Sequence, residues 1–174
     1  MTVAIRLEEL ADRAAAIEVE RLAFGSDEEP SIVEAVRDED GSFALVAEED
    51  GEVVGHVQFS RAWVGDSAVA ALGPIGVRPD RQHRGVGGAL IRGGLEAARR
   101  RGEVAVILLG DPAIYPRFGF EPAAGYGLRN PFAGTLPGGF VIAEEDFMLA
   151  ALDDRARALA GSVRWHPAFG RPPG

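Results

Sequence analysis

The chain has 174 residues, a net charge of −9 and no cysteine. This excludes disulfides, thiolate nucleophiles and cysteine-based zinc sites, and the acidic balance argues against nucleic acid, whose sequence-independent binding needs a basic face. Hydrophobic residues make up 47% and charged residues 26%, the balance of a globular protein able to bury a core without staples. No apolar run approaches the ~20 residues that span a bilayer, and Met1 to Arg6 lacks the basic-then-apolar layout of a signal peptide. No membrane contact and a cytoplasmic location are therefore expected. All 18 basic residues are arginine, which removes the Gly-Lys-Ser/Thr of a P-loop and lysine Schiff-base chemistry. One domain is expected over 1–174, with a core of about 3–152 and an extension over 153–174.

Alternation predicts a first strand over Val3 to Leu7. Glu8 to Phe24 reads as a helix with an apolar stripe at Leu10, Ala14, Ile17 and Phe24, stopped by Gly25. Ser26 to Pro30 reads as an acidic linker, and Ser31-Ile32-Val33-Glu34 as a capping box opening a short helix to about Arg37. Phe43 to Glu48 and Val53 to Ser60 are two strands joined by an Asp50-Gly51 hairpin turn. After a looser turn at Gly65-Asp66, Val69 to Val77 is nearly all apolar, as a strand covered on both faces is. It carries Gly73, Pro74 and Gly76, so it is expected to bulge or splay near its C-terminal end, leaving backbone groups for a ligand.

Gln82 to Leu90 follows, a glycine-rich loop running into a helix from Val86 to about Arg101. The helix has stripes Val86/Leu90/Ala97 and Ile91/Leu95/Ala98 and is closed by Gly102. Its first turn offers unpaired N–H groups, and glycines let a ligand approach that backbone, which makes an anion site suited to a phosphate or pyrophosphate. The arginines at 78, 81, 84, 92 and 99–101 read either as a solvated face and helix C-terminus or as a positive field for an anionic ligand. Val104 to Leu109 is an apolar strand. Asp111-Pro112 starts a helix, with Asp111 as N-cap, that ends near Phe118-Gly119. A strand begins at Phe120, Ala123 to Gly139 is a long loop, and Phe140 to Leu152 holds one or two strands. The tail holds a short helix over Asp153 to Ala160 and a final segment Ser162 to Phe169. This order gives a mixed α/β sheet.

Leu90 stands where a dinucleotide fingerprint needs glycine, the three histidines have no metal-ligand spacing, and no serine occupies a Gly-x-Ser-x-Gly elbow. Gln82-His83-Arg84-Gly85-Val86-Gly87, after a Gly/Pro-interrupted strand ending Gly76-Val77-Arg78-Pro79, resembles the Gln/Arg-x-x-Gly-x-Gly/Ala signature of the GNAT superfamily of N-acetyltransferases. Asp111-Pro112-Ala113-Ile114-Tyr115-Pro116-Arg117-Phe118-Gly119-Phe120 resembles the family's second motif. The resemblance covers roughly residues 3–122, and Ser162 to Phe169 is similar to the ending of a bacterial subgroup whose acceptors are mostly unassigned.

The resemblance implies a three-layer α/β fold with a splayed central sheet flanked by helices. It implies acetyl-CoA as co-substrate, no metal, and direct acetyl transfer to a primary amine: a small molecule, a peptide N-terminus or a lysine. The backbone of His83, Arg84, Gly85, Val86, Gly87 and Gly88 would hold the pyrophosphate, with Gln82 at the loop start. Ile75 and Val77, flanking Gly76, would pair with the pantetheine. Tyr115 would protonate the departing thiolate as general acid, its other reading being an aromatic packed beside Phe118. The general base is not fixed. His56, with Val54, Gln58 and Ser60 on its face, is one candidate and otherwise a hydrogen-bonded sheet histidine; Asp111 is another and otherwise a cap. A water chain or an acceptor arriving neutral stays open, as do a homodimer, a longer acyl donor and a non-catalytic CoA-binding module. Asp27-Glu28-Glu29 reads as an acidic wall favouring a cationic amine, or as a solvated turn.

Overall fold

The structure, a computed structural model, describes residues 2–135 and 139–170. The chain divides into two units: one gathers the residues up to Ser60 with Leu72–Ala97, the other gathers Arg61–Ala71 with the residues from Ala98 onward.

The first unit opens with β1 (Ala4–Leu7), a 3₁₀ turn at Leu10–Asp12, α1 (Arg13–Phe24) and α2 (Glu28–Val36). A hairpin of β2 (Phe43–Glu49) and β3 (Glu52–Val64) follows, then β4 (Ser67–Val77) and α3 (Val86–Arg100). Asp50 and Gly51 have φ of 52° and 81°, the two left-handed residues that a tight hairpin turn needs. The strand order is β1-β2-β3-β4. β1 and β2 pair antiparallel with Ile5 opposite Ala47, and β2 and β3 with Val46 opposite His56. The Arg78 amide donates to the Val54 carbonyl at 2.9 Å.

Alternation along β3 separates two faces. Gly55 looks toward α3, where a Cβ would stand 2.9 Å from Leu90. The same closeness explains Gly93 and Gly94: a Cβ on Gly93 would stand 2.8 Å from Ile5, and one on Gly94 would strike the Phe59 ring. Each glycine costs the helix roughly 1 kcal/mol relative to alanine, and in exchange α3 lies directly on the sheet. Val86, Leu90, Ile91, Leu95 and Ala98 are buried, as their spacing predicts. His56, Gln58 and Ser60 point to the other face and are also buried.

The stripe Leu10, Ala14, Ile17, Phe24 does not face the core: Leu10 is 79% exposed and Phe24 45%, while Ala16, Val19 and Glu20 are buried. The inward face of α1 carries a carboxylate because His56 receives it, and hydropathy alone reads such a face as polar. The second helix begins at Glu28 rather than Ser31. Acidic residues and a proline in a first turn favour a helix N-terminus, so the supposed linker is the first turn, and the Ser31 hydroxyl donates back to the Asp27 carbonyl at 2.7 Å.

In the second unit β4 pairs in parallel with β5 (Ala105–Leu109) at Ala70↔Val106 and Ala71↔Ile107. That ladder ends ahead of Gly73-Pro74. The chain continues through β6 (Glu121–Pro122), β7 (Gly134–Thr135), β8 (Val141–Ile142), β9 (Phe147–Ala151) and β10 (Val163–Arg164). The order is β4-β5-β9-β6, with β10 on β3 and β7-β8 as a separate pair. Val64, Val69, Ile107, Leu128, Phe147 and Leu149 form its core. Trp165 of the tail closes it, edge-on to Phe132, Phe147 and Phe169 with centroids about 6 Å apart. Within the loop expected over Ala123 to Gly139 there is a 3₁₀ turn at Ala123–Tyr126 and the strand β7; positions 136–138 lie outside the described residues.

The helix expected over Asp111 to Phe118 is not an α-helix. Turns lead into a 3₁₀ segment, Tyr115–Phe118. Pro116 lacks the amide that the α-helical ladder would use, and Gly119 ends the segment at φ 93°. The tail helix is likewise a 3₁₀ segment, Asp154–Ala158. The fold is mixed α/β, with a mostly antiparallel sheet flanked by helices.

Candidate active site

After Val77 the chain makes a 3₁₀ turn over Pro79–Arg81 and then two left-handed steps, His83 at φ 62° and Gly85 at φ 84°. These turns aim the backbone into the first turn of α3. The Ala89 amide donates to the Gly85 carbonyl at 3.0 Å, so the N–H groups of Val86, Gly87 and Gly88 precede the helical ladder, and the helix dipole adds positive charge there. A Cβ on Gly87 would meet only Val77, at 3.8 Å, an ordinary contact. Neither φ nor the chain's own packing requires glycine at that position, whereas a ligand resting on the backbone would. The Gln82 side chain donates to the Val77 carbonyl at 3.0 Å and ties the loop to the end of β4.

The neighbouring arginines are engaged. Arg78 bonds Asp80 and Glu52, and Arg81 bonds Glu49 and Asp80. Arg84 is exposed on the loop. The positive field read from the sequence is thus partly spent on carboxylates.

Ile75, Gly76 and Val77 end β4, after a cis bond between Gly73 and Pro74. Gly76 is buried against α1: a Cβ there would lie 2.7 Å from Glu20 Oε2 and 3.1 Å from Ala23. Glu20 Oε1 and His56 Nδ1 are 2.6 Å apart, and both side chains are fully buried. Burial pushes the Glu20 carboxyl above the usual carboxylate range, against the opposing pull of His56. Sequence reasoning found His56 but missed Glu20. Its signal is a lone carboxylate among Ala16, Val19 and Ala23, spaced to share one helix face.

In the second unit Tyr115 sits half-buried in its 3₁₀ segment, edge-on to Phe120 at 5.8 Å. A Cβ on Gly110 would strike its ring, so glycine there makes room for the phenol. Burial, then the charge of Asp111, raise the phenol's pKa. The Asp111 carboxylate accepts from the Ala113 amide at 2.8 Å, the capping role. Among the described residues, no group of three or more His, Asp or Glu is placed to hold a metal, and no helix is long and apolar enough to cross a membrane.

Against known families, the acetyltransferase (GNAT) family matches residues 7–120. The uncharacterized N-acetyltransferase YhbS of Escherichia coli is 38% identical over 157 residues, covering 87% of this chain and 89% of its own length. Its crystal structure in complex with CoA superposes with a TM-score of 0.83 at 34% identity, over 97% of this chain and 92% of that one. A GNAT family acetyltransferase from Brucella melitensis in complex with acetyl-CoA gives a TM-score of 0.75 at 32% identity, over 97% and 98% of the two chains.

Proposed function

Because the chain belongs to the acetyltransferase (GNAT) family, and is thereby an acyltransferase, we propose that it moves the acetyl group of acetyl-CoA directly onto a primary amine, in the cytoplasm. The observation that carries the cofactor side is Gly87, where packing leaves room for a glycine-only approach at a helix start. The relatives solved with CoA and acetyl-CoA support the same donor. Backbone N–H groups from His83 to Gly88 hold the pyrophosphate, with Gln82 fixing the loop that presents them. The β4 backbone at Ile75 and Val77, beyond the end of the β5 ladder at Ala71, pairs with the pantetheine and polarises the thioester carbonyl.

The thioester supplies an activated acetyl group. Tyr115 gives its phenolic proton to the sulfur as the C–S bond breaks; a phenol is protonated at neutral pH and comparable in basicity to the departing thiolate. Positioning of the two reactants supplies most of the remaining acceleration. The acceptor is a small-molecule amine, a peptide N-terminus or a lysine.

An amine panel assayed by thiol release tests the activity: turnover above background is expected for at least one member, and tight acetyl-CoA binding with none would overturn it. Gly87→Glu tests the binding side. A carboxylate placed in the cradle should weaken acetyl-CoA affinity at least tenfold by calorimetry, about 1.4 kcal/mol, and unchanged affinity would remove the loop from the site.

A further inference from the structure

Glu20 and His56 do not form a closed pair. One Glu20 oxygen bonds His56 at 2.6 Å, but the other, Oε2, is buried with no hydrogen-bond partner among the described residues. That oxygen lies 2.7 Å from where a Gly76 Cβ would be. The far side of His56 is open in the same sense: Nε2 is buried without a hydrogen bond and stands 3.6 Å from Glu8 Oε1. Glu8 in turn accepts from Arg37 at 3.1 Å, and the two side chains retain 7% and 9% exposure. A pair kept only for stability satisfies its buried atoms, because each unpaired one carries a desolvation cost. Here the unsatisfied atoms sit at the ends of a line.

The line begins at Gly76, beside the strand edge assigned above to the donor's pantetheine. β4 itself offers no alternative, since Ala71 to Val77 contains no ionisable residue. Resting on the acetyl-transfer reading above, we propose that Glu20, His56 and Glu8 form a proton path: Glu20 takes the proton of the acceptor ammonium at Gly76, and His56 and Glu8 carry it outward past Arg37.

The step balances. The ammonium N–H bond breaks, its proton goes to Glu20 Oε2, and the electron pair stays on nitrogen. Glu20 yields a proton to His56 Nδ1 while Nε2 releases one to Glu8 Oε1 and on to solvent. The nitrogen pair then forms the C–N bond as the C–S bond breaks. Tyr115 protonates the sulfur and is restored by the second amine proton. Ammonium and thioester thus become amide, free thiol and one released proton. The charged groups facing Glu20 are His56 from β3 and Glu29 from α2; those facing His56 are Glu20 and Glu8, with Arg37 behind Glu8. Burial makes Glu20 a stronger base than a solvated carboxylate, which suits this task.

The test uses the full chain, acetyl-CoA and the most active primary amine among cadaverine, benzylamine and lysine amide. Glu20→Gln keeps the shape of the side chain. At neutral pH it should lower kcat/KM by about 10²-fold, and the deficit should shrink as pH rises toward the amine's own pKa, where the acceptor arrives neutral. Acetyl-CoA affinity should hold. His56→Gln should show the same pH-dependent deficit and carries the test if the first variant fails to fold. No deficit, or a deficit equal at all pH values, overturns the proton path. Absence of turnover in the native chain with acetyl-CoA bound instead overturns the acetyl-transfer reading, and the path with it.

Discussion

Tyr115 holds its position through ring contacts, with Phe120 edge-on and glycine at 110 leaving space, and Phe keeps all of these. Tyr115→Phe should therefore lower turnover by about 10²-fold or more while leaving acetyl-CoA affinity and melting temperature unchanged; thiol-release kinetics beside calorimetry separates the two. Glu20 gives a pH prediction of its own. Burial raises its folded carboxyl above the ordinary carboxylate value, with His56 opposing. A raised pKa means the folded state binds the proton more tightly than the unfolded one, so stability falls as pH rises from the ordinary carboxylate value through the raised folded one. Glu20→Gln lacks that titration. The variant's melting temperature relative to the native chain should climb across this window and level off above it, whereas a difference that falls with pH would show the ion pair with His56 outweighing burial.

At the level of elements, α3 is legible. Its stripes are regular, and burial follows them at Val86, Leu90, Ile91, Leu95 and Ala98, with Ala97 half-buried. Gly93 and Gly94 only lower helix propensity when read alone, and the close approaches that require them, to Ile5 and Phe59, join residues far apart in sequence. An alanine replacing an exposed helix glycine stabilises by up to about 1 kcal/mol. Gly94→Ala should instead destabilise by roughly 1–3 kcal/mol, because its methyl meets the Phe59 ring, buried and stacked on Phe43 at 4.6 Å. Urea unfolding decides it, and a gain in stability would mean that α3 can lift from the sheet at little cost. The α1 face was misread for a different reason: pattern reading takes a carboxylate as outward, and only a partner on another strand reverses that. The segment after Asp111 reads as helix from its cap, and Pro116 then denies it the regular ladder.

Over the whole molecule the charge of −9 bears oppositely on the two reactants. A cationic amine is drawn toward an acidic protein, while acetyl-CoA, a polyanion, is repelled by it. The loop does not counter that repulsion with a cluster of open arginines, since Arg78 and Arg81 are bound by Glu52, Asp80 and Glu49. Partial charges on backbone N–H groups act at contact distance, where added salt screens little, whereas attraction across the protein surface is screened once the Debye length nears 10 Å at about 0.1 M salt. Raising salt from about 0.05 to about 0.3 M should thus change acetyl-CoA affinity by less than about threefold and lower kcat/KM for a polycationic acceptor such as spermidine by more than that. Calorimetry and initial rates across one salt series read both. A steep loss of acetyl-CoA affinity would shift the grip from the loop's backbone to its arginines, with exposed Arg84 the first to replace.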